Sequence, residues 1–497
     1  MRAAYDAAQI RAAEGPLLES LPAGTLMQRA SRALARRCAQ LLGSVSRGAH
    51  GGRVYGSRVL LLVGAGNNGA DTLWAGAELA RRGARVDALL VGTADAPALS
   101  AMHAAGGRSQ PAGHERDAVM MASADLVVDG MVGIGASGAL RAPHARLAGL
   151  AAREAGFVVA VDVPSGVDAS TGEVAGEAIC ANVTVTFGAW KIGLLVMPGA
   201  ARAGVVEVVD IGLSLPPATV LAPEAEDVAR LLPDPGAESN KYRRGVVGVV
   251  AGSDRYTGAA VLAVGGALAA GAGMVRYVGP ERPAALVRAQ WPEAVVSIAP
   301  VGDPDSLAAA GRVQAWVAGP GLGTDDAALR TLGALCAADA PLLLDADAIT
   351  VAAANPELLA SRRGPTLLTP HAGEFARLVG SDAETVERER LRQVRDAAAA
   401  LGCVILLKGA ATLVADPTGV VRVNTAATPR LATAGAGDVL SGVCGALLAA
   451  GLAPADAGAA GAYLHGMAGL IAAGDPSGPI TAMEVVHAVP RAIRSLD

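Results

Sequence analysis

The chain is poor in aromatic residues, in lysine and in cysteine, and each shortage narrows what it can be. Phe, Trp and Tyr make up 3% of the 497 residues while 52% are hydrophobic, so the interior has to be filled with Ala, Val and Leu at close range, as helices pack on a parallel sheet. The same shortage argues against a surface that stacks nucleic-acid bases, and a formal net charge of -5 removes any general attraction to polyanions. Five cysteines (Cys38, Cys180, Cys336, Cys403, Cys444) are scattered, odd in number and free of CxxC spacing, which suggests neither a disulfide frame nor a zinc site. No apolar signal segment opens the chain, because Arg2, Asp6, Arg11, Glu14 and Glu19 interrupt it, and a cytoplasmic protein is expected. The uncharged stretch Tyr256 to Val275 holds five glycines and reads as a buried helix rather than a membrane span.

What is present is a repeating order of short apolar run, turn and helical stretch. This is the pattern of parallel strands joined by crossover helices. Expected strands in the first half are Arg58 to Val63, Val86 to Val91, Leu126 to Asp129, Phe157 to Val161, Val183 to Phe187 and Val205 to Val209. In the second half they are Val246 to Ala251, Met274 to Val278, Ala315 to Ala318, Leu342 to Asp345, Thr366 to Thr369, Val404 to Leu407 and Val420 to Val423. The length exceeds what one core usually supports, and a run of prolines and acidic residues between Leu213 and Asn240 places the domain junction there. The expectation is an α/β protein of two domains, residues 1–215 and 240–497, with 216–239 as a linker.

Each half carries a glycine-rich loop that follows a strand or loop and opens a helix, where free backbone N–H groups and the positive end of the helix dipole can meet an anion. In the second half Thr433-Ala434-Gly435-Ala436-Gly437-Asp438 lacks the lysine of a P-loop. An anion hole of backbone amides with Asp438 as proton acceptor is one reading; a helix start with Asp in its first turn is the other. Lysine occurs at three positions only, 191, 241 and 408, against 38 arginines, and Lys408 ends an apolar strand in Leu407-Lys408-Gly409-Ala410-Ala411-Thr412. Such a site wants a compact charge rather than a planar fork. His371, in Thr369-Pro370-His371-Ala372-Gly373-Glu374, is a ligand contact or a helix cap, and Asp345-Ala346-Asp347 suits magnesium and phosphate or capping.

Together these segments resemble the ribokinase-like superfamily, and specifically the ADP- or ATP-dependent NAD(P)H-hydrate dehydratases, over about residues 240–466. The matching pieces include Ala251-Gly252-Ser253 with Tyr256-Thr257-Gly258-Ala259-Ala260, GPGLG at 319–323, DADAI, LTPHAGE, LLKGAAT and LATAGAGDVLSG. The resemblance implies that Ala260, Gly323, His371 and Asp438 face the hydrated nucleotide. It also implies that Lys408, Gly409, Ala410, Ala411, Thr412 and Gly437 hold the adenine nucleotide, and that Mg2+ and ADP take part. The implied reaction phosphorylates the hydroxyl that hydration added to the dihydronicotinamide ring, after which phosphate leaves.

In the first half the loop Gly64-Ala65-Gly66-Asn67-Asn68-Gly69-Ala70-Asp71 meets the GxGxxG spacing, but no acidic residue ends the next strand. The asparagine pair suits a monovalent cation, a ribose or phosphate, or a plain turn. Asp129 and Asp162 each end a strand, and carboxylates at the ends of adjacent parallel strands converge on the cleft of an open sheet. These residues resemble the NAD(P)H-hydrate epimerase family, a Rossmann-like three-layer domain, through GAGNNGAD, DGMVGIG, VDVPSGVDASTGE and FGAWKIGLL. The resemblance implies potassium at Asn68, Asp129 and Ser165, and acid/base work by Asp162. It also implies hydrate contacts from Asn67, Asn68, Gly69, Ala70, Asp71, Gly133, Ile134, Gly135, Ala136, Ser137, Gly138, Ala139 and Asp162. Ala70 and Thr72 stand where that family has glycine, which sets a methyl near the nucleotide. The whole is expected to be a bifunctional repair enzyme acting on NAD(P)H hydrates as a homo-oligomer, with a ribokinase-like kinase and a regulatory first domain as the alternative.

Overall fold

The computed structural model describes residues 1–45, 54–234, 236 and 238–496, and the chain divides into two compact units, Ala3–Thr219 and Val220–Asp497 with Met1–Arg2. In the first unit β1 (Arg2–Tyr5) pairs with β8 (Trp190–Lys191). The main sheet contains β2 (Arg58–Val63), β3 (Arg85–Leu90), β4 (Arg108–Pro111), β5 (Leu126–Gly130), β6 (Val158–Val161), β7 (Val183–Phe187) and β9 (Val205–Val209). Their order is β4-β3-β2-β5-β6-β7-β9, all parallel. The chain winds outward from β2 in one direction and returns to β5 on its other side, so the crevice between the ends of β2 and β5 is the topological switch point where open sheets bind ligands. β5, β6 and β7 are buried at every residue, and the hydroxyls that alternate along β7 are satisfied inside, Thr184 Oγ1 donating to the Ala203 carbonyl and Thr186 Oγ1 to Asp162.

The second unit contains β10 (Val220–Ala222), β11 (Val246–Val250), β12 (Met274–Gly279), β13 (Val295–Ile298), β14 (Ala315–Ala318), β15 (Leu342–Leu344), β16 (Thr366–Leu368), β17 (Val404–Leu407), β18 (Thr412–Ala415) and β19 (Val421–Asn424). From β13 to β17 the order is β13-β12-β11-β14-β15-β16-β17, all parallel, and β18 and β19 continue it antiparallel. The residues expected as a linker are in part ordered elements of this unit: β10 pairs with β19, and Ala225–Leu231 is helical with a Glu224 capping box. Apolar Val220-Leu221 gives the strand a place to bury, which proline content alone had obscured. Pro235 and Ala237 of the same stretch lie outside the described residues.

The uncharged stretch at 256–275 is a helix, Thr257–Ala269, followed by a turn into β12, and no helix of the described residues is long and apolar enough to cross a membrane. That helix packs on the helix Ala436–Ala449 through glycines: a Cβ on Gly442 would lie 2.0 Å from the Ala263 carbonyl oxygen. A core built from small residues lets two backbones touch in this way. Gly442→Ala is expected to push the pair apart and lower stability by about 1–3 kcal/mol. Denaturant unfolding followed by a probe in the second unit measures it, and an unchanged midpoint would contradict the close approach.

Candidate active sites

In the second unit neighbouring parallel strands deliver one polar residue each to the same edge. β15 leads into Asp345, β16 into His371 and β17 into Lys408. Lys408 Nζ donates to Asp345 Oδ1 at 2.8 Å and lies 3.8 Å from Glu374, and Ser441 Oγ donates to the other oxygen, Asp345 Oδ2, at 2.7 Å. Burial works to lower the Lys408 pKa, but Asp345, Glu374 and Asp438 outweigh it and hold the ammonium above its ordinary value. Beneath the loop, the buried Arg390 guanidinium donates to the carbonyls of Leu407 and Lys408 at 3.1 and 3.0 Å and to Glu387 at 2.9 Å. It fixes the backbone of Lys408, Gly409, Ala410 and Ala411, with Thr412 opening β18. Gly437 closes the same space, since a Cβ there would come within 3.3 Å of Lys408 Nζ.

The helix Ala436–Ala449 begins at this edge, after Gly435 in a left-handed conformation (φ 85). The N–H groups of Ala434, Gly435, Gly437 and Asp438 have no acceptor among the described residues, so the helix start is open to an anion. The Asp438 carboxylate makes no hydrogen bond among the described residues either. Burial pushes it up to about 7, Asp345 adds to that, Lys408 opposes it, and Asp347 and Glu374 add again. Asp347 accepts the Gly323 N–H through Oδ2 at 2.9 Å. His371 caps the helix Ala372–Val379, with Nδ1 accepting from Gly373 and Glu374 N–H, and Nε2 lies 3.3 Å from Glu374 on an exposed ring. It therefore acts as a cap while one ring face stays open. Ala260 is fully buried, and its methyl packs 3.1 Å from where a Gly252 Cβ would stand, so it offers no side-chain contact to a ligand.

In the first unit a cleft of about 980 Å³ opens at the switch point, lined among others by Asn67, Asn68, Asp71, Gly133, Ile134, Gly135, Ala136 and Asp162. A volume of that order accommodates a dinucleotide. Gly69, Ala70, Ser137, Gly138 and Ala139 do not line it. Ala70 and Thr72 face the core instead, where Thr72 Oγ1 donates back to Asn68 O at 2.7 Å, so the methyls in place of glycine do not enter the cleft. Residues that sequence reasoning missed are Glu14, the wall Leu17 to Met27, His144, Phe187 and Lys191. Phe187 and Lys191 lie in FGAWKIGLL, and Leu26 and Met27 in Leu26-Met27-Gln28-Arg29-Ala30, segments that resemble the epimerase family, and Lys191 is also one of three lysines.

Asp162 (φ 67) closes the floor of the cleft. Its Oδ1 accepts from Lys191 Nζ at 2.5 Å, Thr186 Oγ1 at 3.1 Å and Phe187 N–H at 3.2 Å. Behind it, Asn68 Nδ2 donates to the Val132 and Val161 carbonyls, while the fully buried Asp129 accepts from Ser165 Oγ at 2.7 Å and Ser165 N–H at 2.8 Å. Burial pushes Asp129 up to about 6 against those hydrogen bonds. The donors gathered here are a carboxylate, a hydroxyl, an amide oxygen and the Val132 carbonyl, a hard, singly charged oxygen set that fits a monovalent cation such as K+.

The second unit is a ribokinase-like α/β fold and the first a doubly wound one, each with an anion-ready helix start at its strand ends. A ribokinase-like superfamily protein from Enterococcus faecalis superposes with a TM-score of 0.51, at 24% identity over 57% of this chain and 98% of that one. Residues 247–491 match the NAD(P)H-hydrate dehydratase family and residues 23–193 the YjeF-related N-terminal family. The protein of Mycobacterium tuberculosis named bifunctional NAD(P)H-hydrate repair enzyme Nnr is 48% identical over 92% of both chains, and its namesake from Mycobacterium leprae is 45% identical over 100% of both. The chain belongs to the family of bifunctional NAD(P)H-hydrate repair enzymes.

Asp438 couples folding to pH. Its carboxyl titrates at 3.8 ordinarily and at about 7 here, so between those values the folded state holds the extra proton and stability falls as pH rises, the loss being complete above 7. Asp438→Asn, which cannot ionise, is expected to be more stable than the natural chain by roughly 2 kcal/mol at about pH 8 and equal to it near about pH 4. Thermal melting at both pH values checks this; equal melting throughout would mean a fully solvated carboxylate.

Proposed function

We propose that the chain repairs hydrated NADH and NADPH in two steps. The first unit interconverts the R and S hydrates. The second returns the S hydrate to NAD(P)H with ADP as phosphoryl donor, giving AMP and phosphate. The observation that carries the reading is the unpaired Asp438 carboxylate beside the open N–H groups of Ala434, Gly435 and Gly437. Full-length similarity to the repair enzymes supports it.

In the second site Lys408 to Thr412 and Gly437 hold the nucleotide, with the ammonium and the open amides around its terminal phosphate. Asp438, poised near neutral pH, takes the proton of the hydrate's hydroxyl as that oxygen attacks phosphorus. The amides meet the charge on the transferring group without reorganising. Phosphate is a better leaving group than hydroxide, so its departure with loss of a ring proton restores the double bond. Gly323 and His371 border the hydrate. Asp347, with one oxygen free of hydrogen bonds among the described residues, would hold Mg2+ with the phosphates, and the ion would neutralise their charge.

In the first site the open helix start at Asn67 and Asn68 receives the nucleotide's phosphates and Asp162 exchanges protons with the hydrate. Asn68, Asp129 and Ser165 would hold K+, which would neutralise the buried Asp129 and fix the loop at Val132.

Asp438→Asn is expected to stop phosphate release, at least a hundredfold, with ADP affinity nearly unchanged, since only proton removal is lost. Dehydration by the natural protein should rise with pH through about 7, where Asp438 ionises. Asp162→Ala should stop conversion of the R hydrate while leaving turnover of pure S hydrate intact. Release of phosphate from hydrated NADH and ADP measures all three, and loss of both activities in Asp162→Ala would contradict two separate sites.

A further inference from the structure

The epimerase reading leaves one buried group without an explanation. Asp71 lies in the first turns of the helix Asn67–Arg81 and borders the same cleft as Asp162. It is 7% exposed, and its Oδ1 has no hydrogen-bond partner among the described residues. A buried carboxyl with no donor in the protein is costly unless a ligand completes it. Asp162 is placed in the opposite way, with Oδ1 saturated by Lys191, Thr186 and the Phe187 N–H and Oδ2 without a hydrogen bond among the described residues. Resting on that reading, we propose that epimerisation uses two carboxyls, Asp71 as the proton donor to the departing hydroxyl and Asp162 Oδ2 as the acceptor from the incoming water, with Lys191 as the positioning residue that keeps them distinct.

The chemistry follows from the substrate. Hydrating an enamine puts the hydroxyl on the carbon bonded to the ring nitrogen. Asp71 gives its proton to that hydroxyl, the C–O bond breaks as the nitrogen lone pair forms C=N, and water departs. Water then adds to the opposite face, a C–O bond forms, the electron pair returns to nitrogen, and the surplus proton passes to Asp162. Transfer of that proton back to Asp71 through cleft water restores the start, and nothing is oxidised or reduced. The charges around Asp71 fit this division. Burial, the Asp162 charge and Glu14 hold its pKa well above the ordinary carboxyl range. The ionisable groups bordering the cleft are Arg11 and Glu14 on the helix Ala7–Ser20, Asp162, Lys191 in β8 and His144 at the start of the helix His144–Glu154.

The test uses the full-length protein with separated R hydrate of NADH in potassium buffer containing 18O-water. The natural protein is expected to form S hydrate with 18O at the carbinol carbon, and its rate to fall as rising pH deprotonates Asp71. Asp71→Asn should lose at least a hundredfold in kcat with KM changed less than about threefold. The retained KM for R hydrate reports an intact first site, and dehydration of S hydrate should persist because it takes place in the second unit. Lys191→Met should lower kcat for epimerisation at least tenfold with KM changed less than about threefold, because Asp162 loses the contact that holds its Oδ1, and Lys191→Arg should restore the rate only in part. An Asp71→Asn protein as fast as the natural one, loss in Glu14→Gln instead, or epimerisation without 18O uptake would each overturn the two-carboxyl assignment. A natural protein unable to convert R hydrate at all would instead remove the epimerase reading and the assignment with it.

Discussion

A buried ammonium that grips an aspartate at the end of a parallel strand sets the geometry of both sites. Lys191 holds Asp162 and Lys408 holds Asp345. Moving two ions out of water costs several kcal/mol, repaid only when the geometry is good and the remaining polar atoms are bonded. Thr186 and the Phe187 N–H join Lys191 on Asp162 Oδ1, and Ser441 takes the second oxygen of Asp345. Their contribution is orientation more than stability. A compact charge suits the task, since Lys191 Nζ reaches Asp162, Thr186 and the Phe187 carbonyl from a single point, which the planar fork of arginine could not. The same contacts hold strained backbone. Asp162 (φ 67) and Ala346 (φ 50), beside Asp345, are the residues other than glycine with positive φ among those described. A conformation that costs about 1–3 kcal/mol persists only where its surroundings over-determine it.

Each site then pairs its pinned aspartate with one that has an oxygen without a hydrogen-bond partner among the described residues. Asp345 is held by Lys408 and Ser441, whereas Asp438 stands free and is pushed up to about 7. Asp162 is held by Lys191, and Asp71 stands unbonded at Oδ1 with its pKa raised. A carboxyl raised by burial can hold or take a proton nearer neutral pH than an ordinary one, which is what acid/base work in a cleft requires. Two unrelated sheets reach that arrangement with the same two residue types because a strand end carries the pinned aspartate and a helix that starts at the same edge carries the other.

Much of this was legible in the sequence where local pattern and burial agree. Arg58–Val63, Val183–Phe187, Val205–Val209, Ala315–Ala318 and Val404–Leu407 fall where short runs rich in apolar and β-branched residues put them. Arg108–Pro111 and Val295–Ile298 were missed because they are short edge strands: the first is polar and the second lacks a fully buried residue, so neither shows the pattern of a central strand. Glycine loops and strand-end carboxylates located both clefts. The cleft wall from Leu17 to Thr25 was not foreseeable, since nothing local says which face of a helix pair a distant loop will cover. Nor was the orientation of Ala70. One turn of helix decides whether a methyl enters the cleft or the core, and the sequence shows only that glycine is absent.

The helix Ala436–Ala449 shows why core and chemistry cannot be separated in the second unit. Its N-terminus presents the open amides and Asp438, its next turn presents Ser441 to Asp345, and Gly442 seats it against the helix Thr257–Ala269. Nearly every residue from Val439 to Ala449 is buried, so the helix start cannot shift without disturbing that packing. The scarcity of aromatic residues acquires a physical sense here. Small side chains let the helix lie close enough that its backbone, rather than a long flexible side chain, becomes the wall of the site, and amides fixed by a packed core need no rearrangement when charge arrives.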